Sequence, residues 1–206
     1  MSAGLASFYP IVGDADLLQK IAGSGIQQVQ LRIKNASSES LRQQVLQAQA
    51  CCRRHGIRLI LNDAWQLALE LGIDHVHLGQ EDLQQADLPA LRRAGIAFGI
   101  STHDEAELEL ALATAPRYVA LGPVWPTLLK KMKWGPQGLE RVSRWKQRCG
   151  EVPLVAIGGI TPERFNPVLD AGADSAAVVT DLLQAADPLA RSQQWVALAA
   201  AREQER

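Results

Sequence analysis

A chain of 206 residues with 47 % apolar side chains can bury a substantial core and reads as an ordinary globular protein. Its net charge of −1 excludes a global pull toward nucleic acid or an anionic membrane, so any charge that matters is local. Cys51, Cys52 and Cys149 match no zinc or redox spacing. MSAGLASFYPIV has no basic-then-apolar leader, and no run is long enough to span a bilayer, so a reduced, cytoplasmic protein is expected.

In chain order, short β-rich runs recur: SFYPIV (7–12), QQVQLRI (27–33), RLILND (58–63), HVHLGQ (75–80), AFGIST (97–102), YVALGPV (118–124), PLVAIGG (153–159) and SAAVVT (175–180). Amphipathic segments separate them. SESLRQQVLQAQACCRR places Leu41, Val45, Leu46 and Ala48 near helical spacing, and DEAELELALA opens with acids where a helix dipole favours them. Gly-Ile or Gly-Ala pairs before strands two, three, four, five and eight read as helix C-caps. Strict alternation without room for hairpins implies a parallel sheet with right-handed crossovers, and eight units imply closure. The expected fold is a single (β/α)8 TIM barrel domain over 1–206. Such a barrel usually takes about 250 residues, but roughly 200 suffice. The competing architecture, an open doubly wound sheet, finds no GxGxxG turn to support it.

In a parallel barrel the chemistry lies at the C-terminal strand ends. On the second strand Gln30, Arg32 and Lys34 share one face and Leu31 and Ile33 the other. Two cations climbing an inner face ask for a multiply charged anion; the alternative is an edge strand with a solvated basic face. The third strand ends in Asn62-Asp63 and the fourth in Gln80-Glu81-Asp82. Carboxylates meeting from adjacent strand ends beside those cations suit a Mg²⁺ that also takes phosphate oxygens, although Asp82 alone would serve equally as a cap. His75 and His77 read as hydrogen-bonded barrel-wall residues and are left out of the site.

The fifth strand ends in Ser101-Thr102-His103, two hydroxyls and an imidazole at the rim. After the sixth comes GPVWPTLLKKMKWGPQG, whose Lys130, Lys131 and Lys133 make either a loop that closes over phosphates or a solvated basic loop. Trp125 and Trp134 offer only thin support for a nucleic-acid patch there. Strand seven ends in Gly158-Gly159 and strand eight in Val179-Thr180, where a phosphate is commonly held by backbone N–H groups; a plain Gly-Gly turn is the alternative. Two anion sites emerge, a metal-assisted polyphosphate site and a monophosphate cradle across the mouth.

YPIV, QLRIK, LND, HVHLGQEDL, GIST with His103, LGPVWPT with Lys130, QGL (137–139), VAIGGIT and the GAD before the last strand together resemble the thiamin-phosphate synthase family over nearly the whole chain. HLGQED with QLRxK and the strand-seven glycine pair is the specific combination. The resemblance implies a (β/α)8 barrel that joins hydroxymethylpyrimidine diphosphate to a thiazole phosphate with Mg²⁺, giving thiamin phosphate and pyrophosphate. It implies Arg32, Lys34, Asn62 and Lys130 on the diphosphate, Asp63 and Asp82 on Mg²⁺, and Gln30 on the pyrimidine. It further implies Ser101 near the reacting centre, Thr127 in the closing loop, and Gly159, Val179 and Thr180 on the thiazole phosphate.

The family's closing loop commonly reads Thr-x-Thr-Lys, whereas Leu129 stands here before Lys130. Asp181 follows Thr180, an acid beside a phosphate cradle that would repel the ligand unless it points away. A related thiazole tautomerase has a histidine after the strand-six glycine, where this chain has Pro123. A degenerate barrel that binds thiamin phosphate or thiazole phosphate without turnover is the rival from another class. The expected partners are small phosphorylated molecules, with neither nucleic acid nor membrane, and a homo-oligomer is left open.

Overall fold

Eight short runs of alternating side chains pair edge to edge in chain order: β1 (Phe8–Val12), β2 (Gln28–Leu31), β3 (Arg58–Asn62), β4 (His75–Leu78), β5 (Ala97–Thr102), β6 (Tyr118–Leu121), β7 (Leu154–Ile157) and β8 (Ser175–Val178). In the computed structural model, which describes residues 4–126 and 135–204, all pairs are parallel and β8 returns to β1, closing the barrel. The expected (β/α)8 architecture is the observed one.

The period-two pleat sorts the core into two layers. On β3, Leu59 and Leu61 face the surrounding helices, while Ile60 joins Tyr9, Ile11, Tyr118, Ala120, Val155 and Ala177 inside the barrel. Helices cover the outside for local reasons. Ser38–His55 starts at Ser37, whose hydroxyl accepts from Ser40 N at 3.2 Å, and stops at Gly56. Glu105–Ala113 starts at Asp104, which accepts from Glu107 N at 2.9 Å. All five glycines read as caps, Gly25, Gly56, Gly72, Gly95 and Gly172, have positive φ, the backbone a Cβ disfavours.

Two strands differ from the sequence expectation by giving way at once to a helix, while β1, β2, β3, β6 and β7 are shorter than the expected runs by one to three residues. β4 stops at Leu78, and Gln80–Gln85 is a helix, so Glu81 and Asp82 sit in its first turn and not on a strand. Likewise β8 stops at Val178 and Thr180–Leu183 is a four-residue helix. Both reversals put backbone N–H groups at the barrel rim, where a helix start favours negative charge.

The two ends of the described chain meet. Trp195, on the helix Pro188–Gln204, stacks on Phe8 of β1 with ring centroids 5.3 Å apart and meets Phe165 edge-on at 5.5 Å. Ser24 and Ser192 share a buried hydrogen bond of 2.7 Å alongside. Among the described residues no helix is long and apolar enough to cross a membrane.

Candidate active site at the barrel mouth

The C-terminal strand ends surround a cavity of about 470 Å³. Gln30, Arg32 and Lys34 reach it from β2 and the segment after it, Asn62 from the end of β3 and Asp63 from the turn that follows, Asp82 from the helix after β4, and Ser101 from β5. Gly159, Val179 and Thr180 line its far side. The residues expected to form two anion sites therefore line two sides of one cavity. Thr127, Leu129 and Lys130 fall within 127–134, outside the described residues.

The carboxylates are brought together by an unusual turn. Asp63 has left-handed backbone, φ 63°, and its N–H donates to His77 O at 2.8 Å, which swings it over β4. Asp tolerates this conformation better than most residues. Its Oδ2 accepts from Lys34 Nζ at 2.6 Å, and Asp63 and Asp82 line the same cavity. Burial, then the charge of Asp63, raises the pKa of Asp82 above the ordinary carboxylate range. Asp82 does not cap the helix start, where Gly79 stands. Among the described residues Arg32 has no ion-pair partner, so its charge faces the cavity.

Behind the charged rim lies a buried polar row. Gln30 Nε2 donates to Tyr9 Oη at 3.0 Å, and the Tyr9 and Tyr118 hydroxyls are 2.7 Å apart. Tyr118 Oη lies 2.9 Å from His77 Nδ1, and His77 Nε2 lies 2.8 Å from Ser101 Oγ. His77, left out of the site on sequence grounds, is thus a hydrogen-bonded wall residue that also lines the cavity. Burial lowers its pKa to about 4, so the ring is neutral near pH 7, and burial likewise raises both tyrosines. Sheet register explains the row: His77 pairs with Gly99 and Gly99 with Tyr118, so all three face inward. A Cβ on Gly99 would lie 2.1 Å from the Tyr118 ring, so the glycine opens the path from Tyr118 to His77. An isolated glycine inside β5 was the sequence signal for such an approach.

At the rim of β5, Gln80 Nε2 donates to Ser101 O at 2.6 Å, and Glu107 accepts from both His103 N and Nδ1. The Thr102 hydroxyl is engaged elsewhere, donating to Ala120 O and accepting from Trp145 Nε1.

The glycines after β7, which line the cavity, also permit a close approach of backbone. Gly158 (φ 102°) and Gly159 (φ 65°) let the chain after β6 pass close: added Cβ atoms would meet Pro123 Cα at 2.6 Å and Pro126 O at 2.7 Å. Arg164 Nη1 donates to Gly159 O at 2.6 Å and its guanidinium covers the Trp125 ring, fixing this turn beside the cavity. Asp181 points away from the cavity. Its carboxylate takes Arg191 Nε at 2.7 Å and Nη2 at 2.6 Å, together with Trp195 Nε1 at 2.6 Å. Burial works to raise its pKa, but these donors outweigh it and hold the group below its ordinary value.

Parallel closure, cations and paired carboxylates on one side of the mouth, and a glycine turn with a helix start on the other define a phosphate-handling (β/α)8 barrel enzyme. A family model described as thiamine monophosphate synthase matches residues 9–182. The chain is 56 % identical over 196 residues to the thiamine-phosphate synthase of Rhizobium etli, covering 95 % of this chain and 96 % of that one. To the thiamine-phosphate synthase of Klebsiella pneumoniae it is 46 % identical, with 94 % and 92 % covered. Its fold matches a thiamine phosphate pyrophosphorylase structure from Pyrococcus furiosus with a TM-score of 0.83 at 23 % identity, covering 95 % and 96 %. The chain belongs to the thiamine monophosphate synthase family, and it is an enzyme of the transferase class.

Proposed function

We propose that this barrel joins hydroxymethylpyrimidine diphosphate to a thiazole phosphate, releasing thiamin phosphate and pyrophosphate. The observation that carries this reading is the meeting of Arg32 and Lys34 with the Asp63–Asp82 pair, across one cavity from Gly159, Val179 and Thr180.

On this reading Arg32, Lys34 and Asn62 hold the diphosphate; Lys130 and Thr127, expected from the sequence to join them, lie outside the described residues. Asp63 and Asp82 fit Mg²⁺, which is commonly bound by one or two carboxylates plus substrate phosphate oxygens. Two carboxyls lining one cavity, one with its pKa raised by burial and by the other's charge, suit a cation placed against them. No group of three or more His, Cys, Asp or Glu side chains that could hold a metal gathers among the described residues, so on this reading the ion takes its other ligands from the phosphates. When bound, the ion would stabilise negative charge on the leaving pyrophosphate.

Gln30 and Ser101 orient the pyrimidine over the apolar floor of Ile11, Ala120 and Val155, where low polarity strengthens every charge interaction. As the methylene–oxygen bond breaks, the electron-rich ring stabilises the carbon cation while Arg32 and Lys34 meet charge growing on the phosphate oxygens. The thiazole nitrogen then attacks from the side of Gly159 and Thr180. It carries no proton to remove, so neutral His77 is not needed as a base. The turned-away Asp181 removes one motive for the non-catalytic reading. Three free, buried cysteines suit a reducing compartment, so a cytoplasmic setting completes the reading.

Incubating the chain with both phosphorylated substrates and Mg²⁺ tests the proposal. Thiamin phosphate and pyrophosphate should form in equal amounts, and both should cease with a chelator. Saturable binding of either substrate without pyrophosphate release would favour the non-catalytic barrel instead.

A further inference from the structure

On the reading above, the pyrimidine lies between Gln30 and Ser101, and these two side chains are joined from behind. Four consecutive hydrogen bonds link Gln30, Tyr9, Tyr118, His77 and Ser101. Each tyrosine hydroxyl brings one proton, and a neutral imidazole carries one proton on two nitrogens. If Gln30 donates to Tyr9, then Tyr9 donates to Tyr118, Tyr118 to His77 Nδ1, and His77 Nε2 to Ser101. That order leaves Gln30 Oε1 as an acceptor and the Ser101 hydroxyl as a donor toward the cavity. Turning the Gln30 amide over reverses every link and both ends. A mixed order strands a tyrosine proton or sets two acceptors face to face in a buried row, which is costly.

We propose that this row is a hydrogen-bond polarity relay that sets specificity. It keeps Gln30 and Ser101 opposite in character, so the cavity selects a flat heteroaromatic edge that presents a donor to one and an acceptor to the other. Tyr9, Tyr118 and His77 are positioning residues that act through these two. With Gln30 donating to Tyr9, the ring's donor meets Gln30 and its acceptor meets Ser101.

Two measurements on the full chain test the relay. The first is a two-bond ¹H–¹⁵N correlation of the four histidine rings, with His77 identified by the signal lost in His77→Gln. A single neutral tautomer is expected, protonated on Nε2, and it should persist in Tyr9→Phe and become mixed in Tyr118→Phe. A single tautomer on the other nitrogen supports the relay in its reversed order. Mixed tautomers or an imidazolium in the unsubstituted chain at pH 7.5 would overturn it.

The second is kcat/KM for the pyrimidine diphosphate in Gln30→Ala, Ser101→Ala and the double variant, each with and without Tyr9→Phe. Groups in one network couple by roughly twofold to a hundredfold. The joint loss should depart from the product of the single losses by about fivefold or more, and return to that product within about twofold in Tyr9→Phe. Losses that multiply independently from the outset, or coupling that survives Tyr9→Phe, would refute the relay. A chain that makes no thiamin phosphate at all would refute the functional reading instead, while the tautomer experiment still decides the relay.

Discussion

Two single atoms carry much of this site's character. The first is a carbon, the β-carbon that Gly99 lacks. Its absence leaves room for the Tyr118 ring, which lies 2 % exposed against His77 with centroids 5.6 Å apart. Gly99→Ala would drive a methyl into that ring, and overpacking of this kind typically costs about 1–3 kcal/mol. Urea unfolding should register that loss together with the broken Tyr118–His77 contact; an unchanged midpoint would mean the ring moves aside freely. The second is a carboxyl oxygen of Asp82, which lines the cavity together with Asp63. Asp82→Ala removes half of the anionic pair but leaves Lys34 on Asp63 and the helix start on Gly79. The fold should persist while Mg²⁺-dependent turnover falls by about 10²-fold or more, the scale of losing one transition-state stabiliser. Unchanged turnover in the pyrophosphate assay would remove Asp82 from the metal site.

At the scale of elements, the four-residue helix Thr180–Leu183 is too short to be stable alone. It is held by Asp181, which reaches across to Arg191 and Trp195 on the C-terminal helix. Asp181→Asn keeps the shape and loses the charge, for which about 1–3 kcal/mol is the expected loss of stability at pH 7. The pH dependence has a definite sign. Because the folded-state pKa is depressed, the carboxylate's contribution is full above the unfolded value near 4 and fades as pH falls through the folded one. The gap between variant and parent in urea unfolding should therefore narrow in acid; a gap of constant size would show that the charge is not what holds the helix. Elements such as these also mark what was legible beforehand. The five capping glycines and the inward parity of Gln30, Arg32 and Lys34 were readable because each depends on a few adjacent residues. The helices at Gln80 and Thr180 were not, since so few residues carry no periodic signal. His77 is the hydrogen-bonded wall residue it was read as, but its place in the cavity was not legible, since it depends on pairing with Gly99 and, through it, Tyr118, which are distant in sequence.

At the scale of the whole molecule, closure makes every strand an interior strand, so no edge remains to open first. The seam is β1 against β8, and it is backed by Trp195, fully buried between Phe8 and Phe165 while its indole N–H serves Asp181. One side chain thus ties the first strand, the last helix and the Thr180 side of the mouth together. If residues 1–206 form one cooperative domain, as we propose, Trp195→Ala cannot loosen the seam alone. A truncation of this size typically costs about 3–5 kcal/mol, and the loss should appear in the barrel as a whole. Far-ultraviolet circular dichroism and loss of turnover in urea should shift to lower midpoints together, as one transition, in the variant as in the parent. Midpoints that separate, with helix content outlasting activity, would mean that the C-terminal helix and the seam unfold as a unit of their own, and the barrel would then be two cooperative parts instead of one.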